Sequence, residues 1–312
     1  MHYAEVLKVL AANKNGRSYP SRTDPRYSEN FITPVFTPKF GIDISKVHSV
    51  FTIGSCFARN IEETLASLGV ALPTTKFATP KEEWPHRPNG LLNEYNPGSI
   101  SQKIIVTLKN KKSSSETIYK NAELFHDLLL CGGSGVSYER AIERRAEISG
   151  VYSELINSDV IIITLGFIEA WYDNQSNQWL NRMPPNNKDI EGNRFVFKRI
   201  DVEEVMNMMS EAFSMLDSLG KKIILTVSPV PISTTLTNSD CVVANEYSKS
   251  VLRVCAERLR NDFSNVDYYP SYEMARIPGL ISYNDDNIHV KNSVVEKITS
   301  YMVKIYQEAA KI

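Results

Sequence analysis

Residues that could perform covalent chemistry lie at two distant places in the sequence. The triplet Gly54-Ser55-Cys56 stands between a run rich in β-branched and aromatic residues and a segment of helical periodicity. Near the other end of the chain, Asp286 and His289 are three residues apart. A nucleophile on a strand-to-helix turn is exposed to substrate, and a carboxylate can orient the imidazole that takes its proton. These residue types are those of nucleophilic, covalent catalysis.

Two interpretations of the turn and the tetrad stay open. The N–H groups at a helix start favour a thiolate at Cys56 and could hold an oxyanion. Alternatively, Ser55 caps the helix and Cys56 packs as a small hydrophobic residue. In the same way, Asp286 is either the partner of a catalytic His289 or a helix cap beside a surface histidine.

A third group follows the apolar run at 160–165. Gly166 comes directly after this run and Glu169 three residues later. Glu169 is expected to contact a substrate or to brace the site. With equal weight, Gly166 is a turn glycine and Glu169 is the first residue of a helix.

The alternation of apolar runs and amphipathic segments predicts the elements that position these residues. Strands are predicted at 48–53, 159–165, 221–228 and 265–270, and helices at 3–12, 57–68, 97–108, 137–149, 201–219, 243–259 and 290–310. Asn96 and Asp201 are predicted to cap two of these helices. Fully apolar strands between helices are typical of a parallel sheet covered on both faces. We therefore expect an α/β protein, a three-layer α/β/α sandwich with a central, mostly parallel sheet of flavodoxin-like type. Its functional crevice should lie at the carboxyl ends of the strands.

The chain of 312 residues is expected to form one domain over 48–312, with an insert near 171–200. Residues 1–47 contain prolines and aromatics and are expected to form an arm packed on the core.

Composition excludes several classes of function. A net charge of −1 disfavours nucleic acid as a partner, and no stretch is long enough for a membrane span. The four cysteines form no C-x-x-C pair and no metal-like group with histidine, so reduced thiols and a cytoplasmic location are expected. No metal or other cofactor is expected.

The pentapeptide "GSCFA" at 54–58 is the signature of the GSCFA domain family, and "YNPGSI", "TLGFIEAW", "SPVP" and "DDNIH" also resemble segments of that family. The resemblance covers about residues 32–300. The family is grouped with SGNH-type (GDSL-like) hydrolases, three-layer enzymes that are mostly esterases or O-acyltransferases, often acting on carbohydrates. The resemblance implies a hydrolase or O-acyltransferase acting on acyl esters, most readily acetyl esters, with a small-molecule or carbohydrate substrate and an acyl donor.

The resemblance also assigns residues. Cys56 takes the nucleophile position with Ser55 beside it, Asp286 and His289 match the Asp-x-x-His block, and Gly90 matches the glycine whose N–H contributes to the oxyanion hole.

The Gly-x-Asn-Asp block is the point where this sequence departs from the SGNH pattern. Gly166 to Glu169 match it, but Ile168 replaces the oxyanion-stabilising Asn and Glu169 replaces Asp. Asn93 and Asn96, in the loop expected near the same crevice, are candidates for the missing donor.

Two alternatives to an acyl-transfer enzyme remain. Ile168 favours a catalytically silent module that binds glycans or nucleotide sugars. A transferase of a non-acyl group, with Glu169 as base, is the third candidate.

Overall fold

The computed structural model describes residues 1–16, 18–44, 46–185 and 192–311. The strands are β1 (Tyr27–Ser28), β2 (Phe31–Ile32), β3 (Val50–Gly54), β4 (Ile118–Asn121), β5 (Leu124–Asp127), β6 (Val160–Leu165), β7 (Glu169–Asp173), β8 (Gln178–Leu180), β9 (Phe195–Arg199), β10 (Lys222–Val227) and β11 (Val266–Tyr268). The α-helices are α1 (Tyr3–Ala12), α2 (Cys56–Ser67), α3 (Pro97–Leu108), α4 (Tyr138–Ser153), α5 (Val202–Ser218), α6 (Cys241–Asp262), α7 (Ser271–Arg276) and α8 (Asn292–Ala309).

The centre of the fold is a four-stranded parallel sheet in the order β11-β10-β6-β3. Ile161 and Ile163 of β6 face one apolar core, whereas Val160 and Ile162 face a second core on the other side. Because both faces are apolar, both must be covered.

Helices cover the sheet on both sides. Residues of α3, α4, α5 and α6 complete the first core, and residues of α2, α7 and α8 complete the second. The predicted three-layer α/β/α fold is therefore confirmed.

Two helices, α3 and α5, begin at the capping residues predicted from the sequence. Asn96 accepts from the Ser99 N–H at 2.8 Å to cap α3, and Asp201 caps α5 in a reciprocal capping box with Glu204. The helix after the first predicted strand begins one residue earlier than expected, at Cys56 instead of residue 57.

The N-terminal region divides into two parts. Phe36 packs edge-on against Tyr269, and Phe40 packs against Tyr306 of α8. The Lys39 N–H donates to the buried Asp267 at 2.8 Å. In contrast, every residue of α1 is exposed. The aromatic part of the arm therefore covers the core, and α1 does not.

The insert is a small antiparallel sheet in the order β8-β7-β9. It begins at Glu169, two residues before the predicted insert, and part of the prediction (186–191) lies outside the described residues. A hairpin of β4 and β5 packs beside this small sheet. The hairpin was not predicted from the sequence.

Candidate active site at the carboxyl ends of the strands

The turn that carries Cys56 is fixed by long-range hydrogen bonds. The Ser55 N–H donates to Oγ1 of Thr164 at 3.0 Å, and the Ser55 hydroxyl donates to Oγ of Ser228 at 2.8 Å. The same hydroxyl accepts from the Phe57 N–H at 3.3 Å and so caps α2. Ser55 is 2% exposed, so its position is that of a cap and a tie between strand ends, not of a substrate contact.

Gly54 is required by the close approach of β3 to β6. Its φ is +136°, in a region that residues with side chains rarely adopt. A Cβ on Gly54 would lie 2.2 Å from the carbonyl oxygen of Thr164. The first residue of the GSCFA pentapeptide therefore permits the strand contact that places the next two.

Cys56 is the first residue of α2 and lines a cavity at this edge of the sheet. Burial raises the pKa of its thiol, while the nearby cations Lys249 and Arg87 and the N–H groups of Cys56 and Phe57 lower it. The thiol is thus shielded from water but surrounded by groups that favour a negative charge.

Asp286 and His289 form a hydrogen-bonded pair. Oδ2 of Asp286 lies 2.6 Å from Nδ1 of His289, and Oδ1 accepts from the N–H groups of Ile288 and His289, both at 2.9 Å. The bond from His289, followed by these backbone bonds, lowers the pKa of Asp286 to about 2. Since Nδ1 is engaged, Nε2 is left for a nucleophile or a substrate.

Cys56 and His289 line the same cavity, which has a volume of about 620 Å³. No hydrogen bond joins the Cys56 sulfur to the imidazole among the bonds of the described residues. The fold therefore brings the first third of the chain and its C-terminal loop to one cavity, with Cys56 and His289 both on its wall.

Gly90 and Gly166, both singled out in the sequence, lie outside this wall. The Gly90 N–H donates to Arg87 O at 2.9 Å, and its carbonyl accepts from the Cys131 thiol. The Gly166 N–H donates to Tyr95 O at 3.1 Å. Both amides are therefore used within the protein, and the geometry does not support the oxyanion role expected of Gly90.

Ile168 is fully buried in the first core. Its N–H donates to Oγ of Ser248 at 3.1 Å. An amide side chain at this position would therefore lie in hydrocarbon, and an oxyanion donor has to come from elsewhere.

Asn96 and Glu169 do line the cavity. Nδ2 of Asn96 donates one bond, to Leu180 O at 3.1 Å, and a second hydrogen on the same nitrogen can serve a ligand. Glu169 lies in β7, not at a helix start, and its two oxygens accept from Oγ1 of Thr235 at 2.7 Å and from the Leu236 N–H at 2.9 Å. These bonds show Glu169 bracing the loop over the cavity.

Asn93, the other candidate donor, is not on the cavity wall. Its Nδ2 donates to the Tyr95 hydroxyl at 3.3 Å, and its backbone pairs with Gly54 beside the sheet.

Lys249 is a buried cation behind the cavity wall. It is 1% exposed, and its Nζ donates to Gly166 O at 2.6 Å and to Val230 O at 2.7 Å. Burial lowers its pKa to about 7. Lys249 thereby joins the loops after β6 and β10 and brings a cation close to Cys56.

Arg182 and Cys131 also line the cavity. Neither residue was predicted from the sequence to be part of the site. Burial and the neighbouring Glu94 raise the pKa of the Cys131 thiol to about 12. A thiol this weakly acidic is not a competing nucleophile.

Within the described residues, no group of three or more histidine, cysteine or carboxylate side chains is arranged to hold a metal ion. The same part of the chain has no helix with the length and apolarity needed to cross a bilayer.

A family comparison matches residues 49–301 to the GSCFA family. The match spans the central sheet, the small antiparallel sheet and both parts of the site. No curated protein matches the chain in sequence.

Proposed function

The chain belongs to the GSCFA family, and we propose that it is an SGNH-like acyl-transfer enzyme, a hydrolase or O-acyltransferase with a Cys56-His289-Asp286 triad. The observation that carries the proposal is the shared cavity. It is lined by a thiol at a helix N-terminus and by an imidazole whose Nδ1 is held by a carboxylate. Such a constellation is defined by roles and geometry, not by sequence order.

In the proposed reaction, the Cys56 thiolate attacks the ester carbonyl, and His289 holds the proton taken from the thiol. The oxyanion is bound by the Cys56 N–H at the start of α2 and by the second Nδ2 hydrogen of Asn96. Collapse releases the alcohol, protonated by His289, and leaves a thioester. Water or a sugar hydroxyl then attacks the thioester, His289 takes its proton, and the thiol is restored.

A binding module without catalysis is the second candidate. It is favoured by the absence, among described contacts, of a bond from Cys56 to His289 and by the burial that raises the pKa of the thiol. The non-acyl transferase with Glu169 as base is less well supported, because both of its carboxylate oxygens are already hydrogen-bonded.

Intact-mass spectrometry during turnover of p-nitrophenyl esters tests the proposal. We expect an acyl adduct on the wild-type protein, and loss of both adduct and turnover in Cys56→Ala. Cys241→Ala is the matched control, because Cys241 is also the first residue of a helix and partly exposed. Turnover retained in Cys56→Ala, or an adduct located on another residue, would refute the mechanism.

A further inference from the structure

The cavity is larger and more apolar than an acetyl group alone would require. Apolar side chains come from the small antiparallel sheet and from the loops after β6 and β10: Phe167, Trp171, Leu180, Met183, Ile232 and Leu236. A volume of about 620 Å³ falls within the range of roughly 300–1,000 Å³ typical of sites for whole small-molecule ligands. The cavity therefore has room for a bulky apolar group beside the reacting ester.

The polar side chains of the wall are mostly engaged already. Both oxygens of Glu169 accept hydrogen bonds from the loop above. Oδ1 of Asn181 accepts from the Tyr95 N–H at 3.1 Å, and its Nδ2 donates to Asn93 O at 2.6 Å. These groups shape the cavity and leave little capacity for a ligand.

Arg182 is different. It lies two residues after the end of β8 and is half-buried, and among the described residues its guanidinium donates one hydrogen bond, to Gly133 O at 3.2 Å. In the described part of the chain, no carboxylate lies within ion-pair distance of it. Burial, with Arg144 nearby, lowers the pKa of Arg182.

Among the described residues, the half-buried guanidinium has a carbonyl partner but no carboxylate at ion-pair distance, so the hydration it loses on burial is only partly replaced. Its remaining N–H donors form a planar fork suited to a carboxylate or a phosphoryl group. An anion bound there would restore the missing partner.

We propose that Arg182 binds an anionic group of the substrate, a carboxylate or a phosphoryl group, while an apolar part of the same molecule lies against Trp171, Leu180 and Met183. This assignment rests on the proposed function for the identity of the molecule as an ester. The anion site itself exists whether or not the chain is an enzyme. The substrate class is then an anionic, largely apolar acyl ester.

Calorimetric binding of non-reactive probes tests the anion site without any turnover. Octanoate, octyl phosphate and octanamide share the apolar chain and differ in the head group. We expect octanoate or octyl phosphate to bind wild-type protein about ten- to a hundredfold more tightly than octanamide, as is typical of a charge-assisted bond. The tighter of the two anions identifies the head group.

Variants locate the site. Arg182→Gln should remove the preference for the anion and leave octanamide binding unchanged, and Arg182→Lys should retain part of it. The matched control is Arg199→Gln, since Arg199 stacks on Tyr247 outside the cavity.

Equal affinity of wild-type protein for octanoate, octyl phosphate and octanamide would overturn the proposal, as would an anion preference that survives in Arg182→Gln. If the anion preference is found but Cys56→Ala retains esterase activity, the binding site stands and the acyl-transfer mechanism falls.

Discussion

The two halves of the proposed triad reach the cavity by different structural means. The turn before Cys56 is tied to Thr164 and Ser228, which are 109 and 173 residues from Ser55 in the sequence. The Asp286-His289 pair is held by bonds that span two or three residues. His289 and Asp286 are 56% and 44% exposed, whereas Ser55 is 2% exposed.

This difference predicts which substitutions change stability as well as activity and which change activity alone. The thiol half is part of the folded core, so changes there act on the free energy of unfolding as well as on chemistry. The imidazole half is a local loop at the surface, and changes there should act on chemistry alone.

The largest expected effect is on the imidazole side. His289→Ala should lower kcat/KM for acyl esters by about 10²–10⁴-fold, because general acid–base catalysis contributes this much. Its urea unfolding midpoint should stay that of the wild type. His48→Ala, a change of an exposed histidine outside the cavity, is the control. Unchanged activity in His289→Ala would remove the imidazole half from the mechanism.

A smaller effect is expected at Lys249, behind the thiol. Its cation lowers the pKa of Cys56, so below pH 7 Lys249→Met should hold a smaller fraction of thiolate and react with iodoacetamide more slowly than the wild type. Because the pKa of Lys249 is about 7, the wild type loses the cation above that pH. The ratio of wild-type to variant alkylation rates should therefore exceed one below pH 7 and fall towards one above it.

The exposed Lys304 provides the control for this change, as Lys304→Met. Superimposable profiles for Lys249→Met and the wild type would show that the buried cation does not act on the thiol.

The smallest effect distinguishes the two neighbours in the turn. Ser55→Ala removes the cap of α2 and should lower the free energy of unfolding by about 1 kcal/mol. Acyl adduct formation on Cys56 should persist, since Ser55 does not line the cavity. Loss of the adduct with unchanged stability would instead indicate that Ser55, not Cys56, is the reacting group.

Local signals made most of the fold predictable from the sequence. Apolar runs predicted β3, β6, β10 and β11, and capping residues such as Asn96 and Asp201 predicted helix starts, because both features act over a few residues. The rule that functional groups gather at the carboxyl ends of parallel strands predicted that Cys56 and His289 would lie near each other. That they line one cavity agrees with this prediction.

The rest of the site depends on contacts that a local pattern does not record. Glu169 was expected to contact substrate or brace the site, or to begin a helix; pairing with Arg199 places it in a strand, from which its carboxylate braces the loop over the cavity. Arg182 became part of the site only because the antiparallel sheet folds over the crevice. The β4–β5 hairpin has short, mixed strands whose pairing is fixed by packing, so periodicity gives no signal for it.

Gly54 has a consequence for how the site forms during folding. The lack of a side chain at Gly54 lets the end of β3 lie against Thr164, and the same threonine holds the amide of Ser55. The turn that carries Cys56 is thus positioned by the pairing of two strands, without a later ordering step of its own. Once the central sheet has assembled, the Cys56 thiol is therefore already in position.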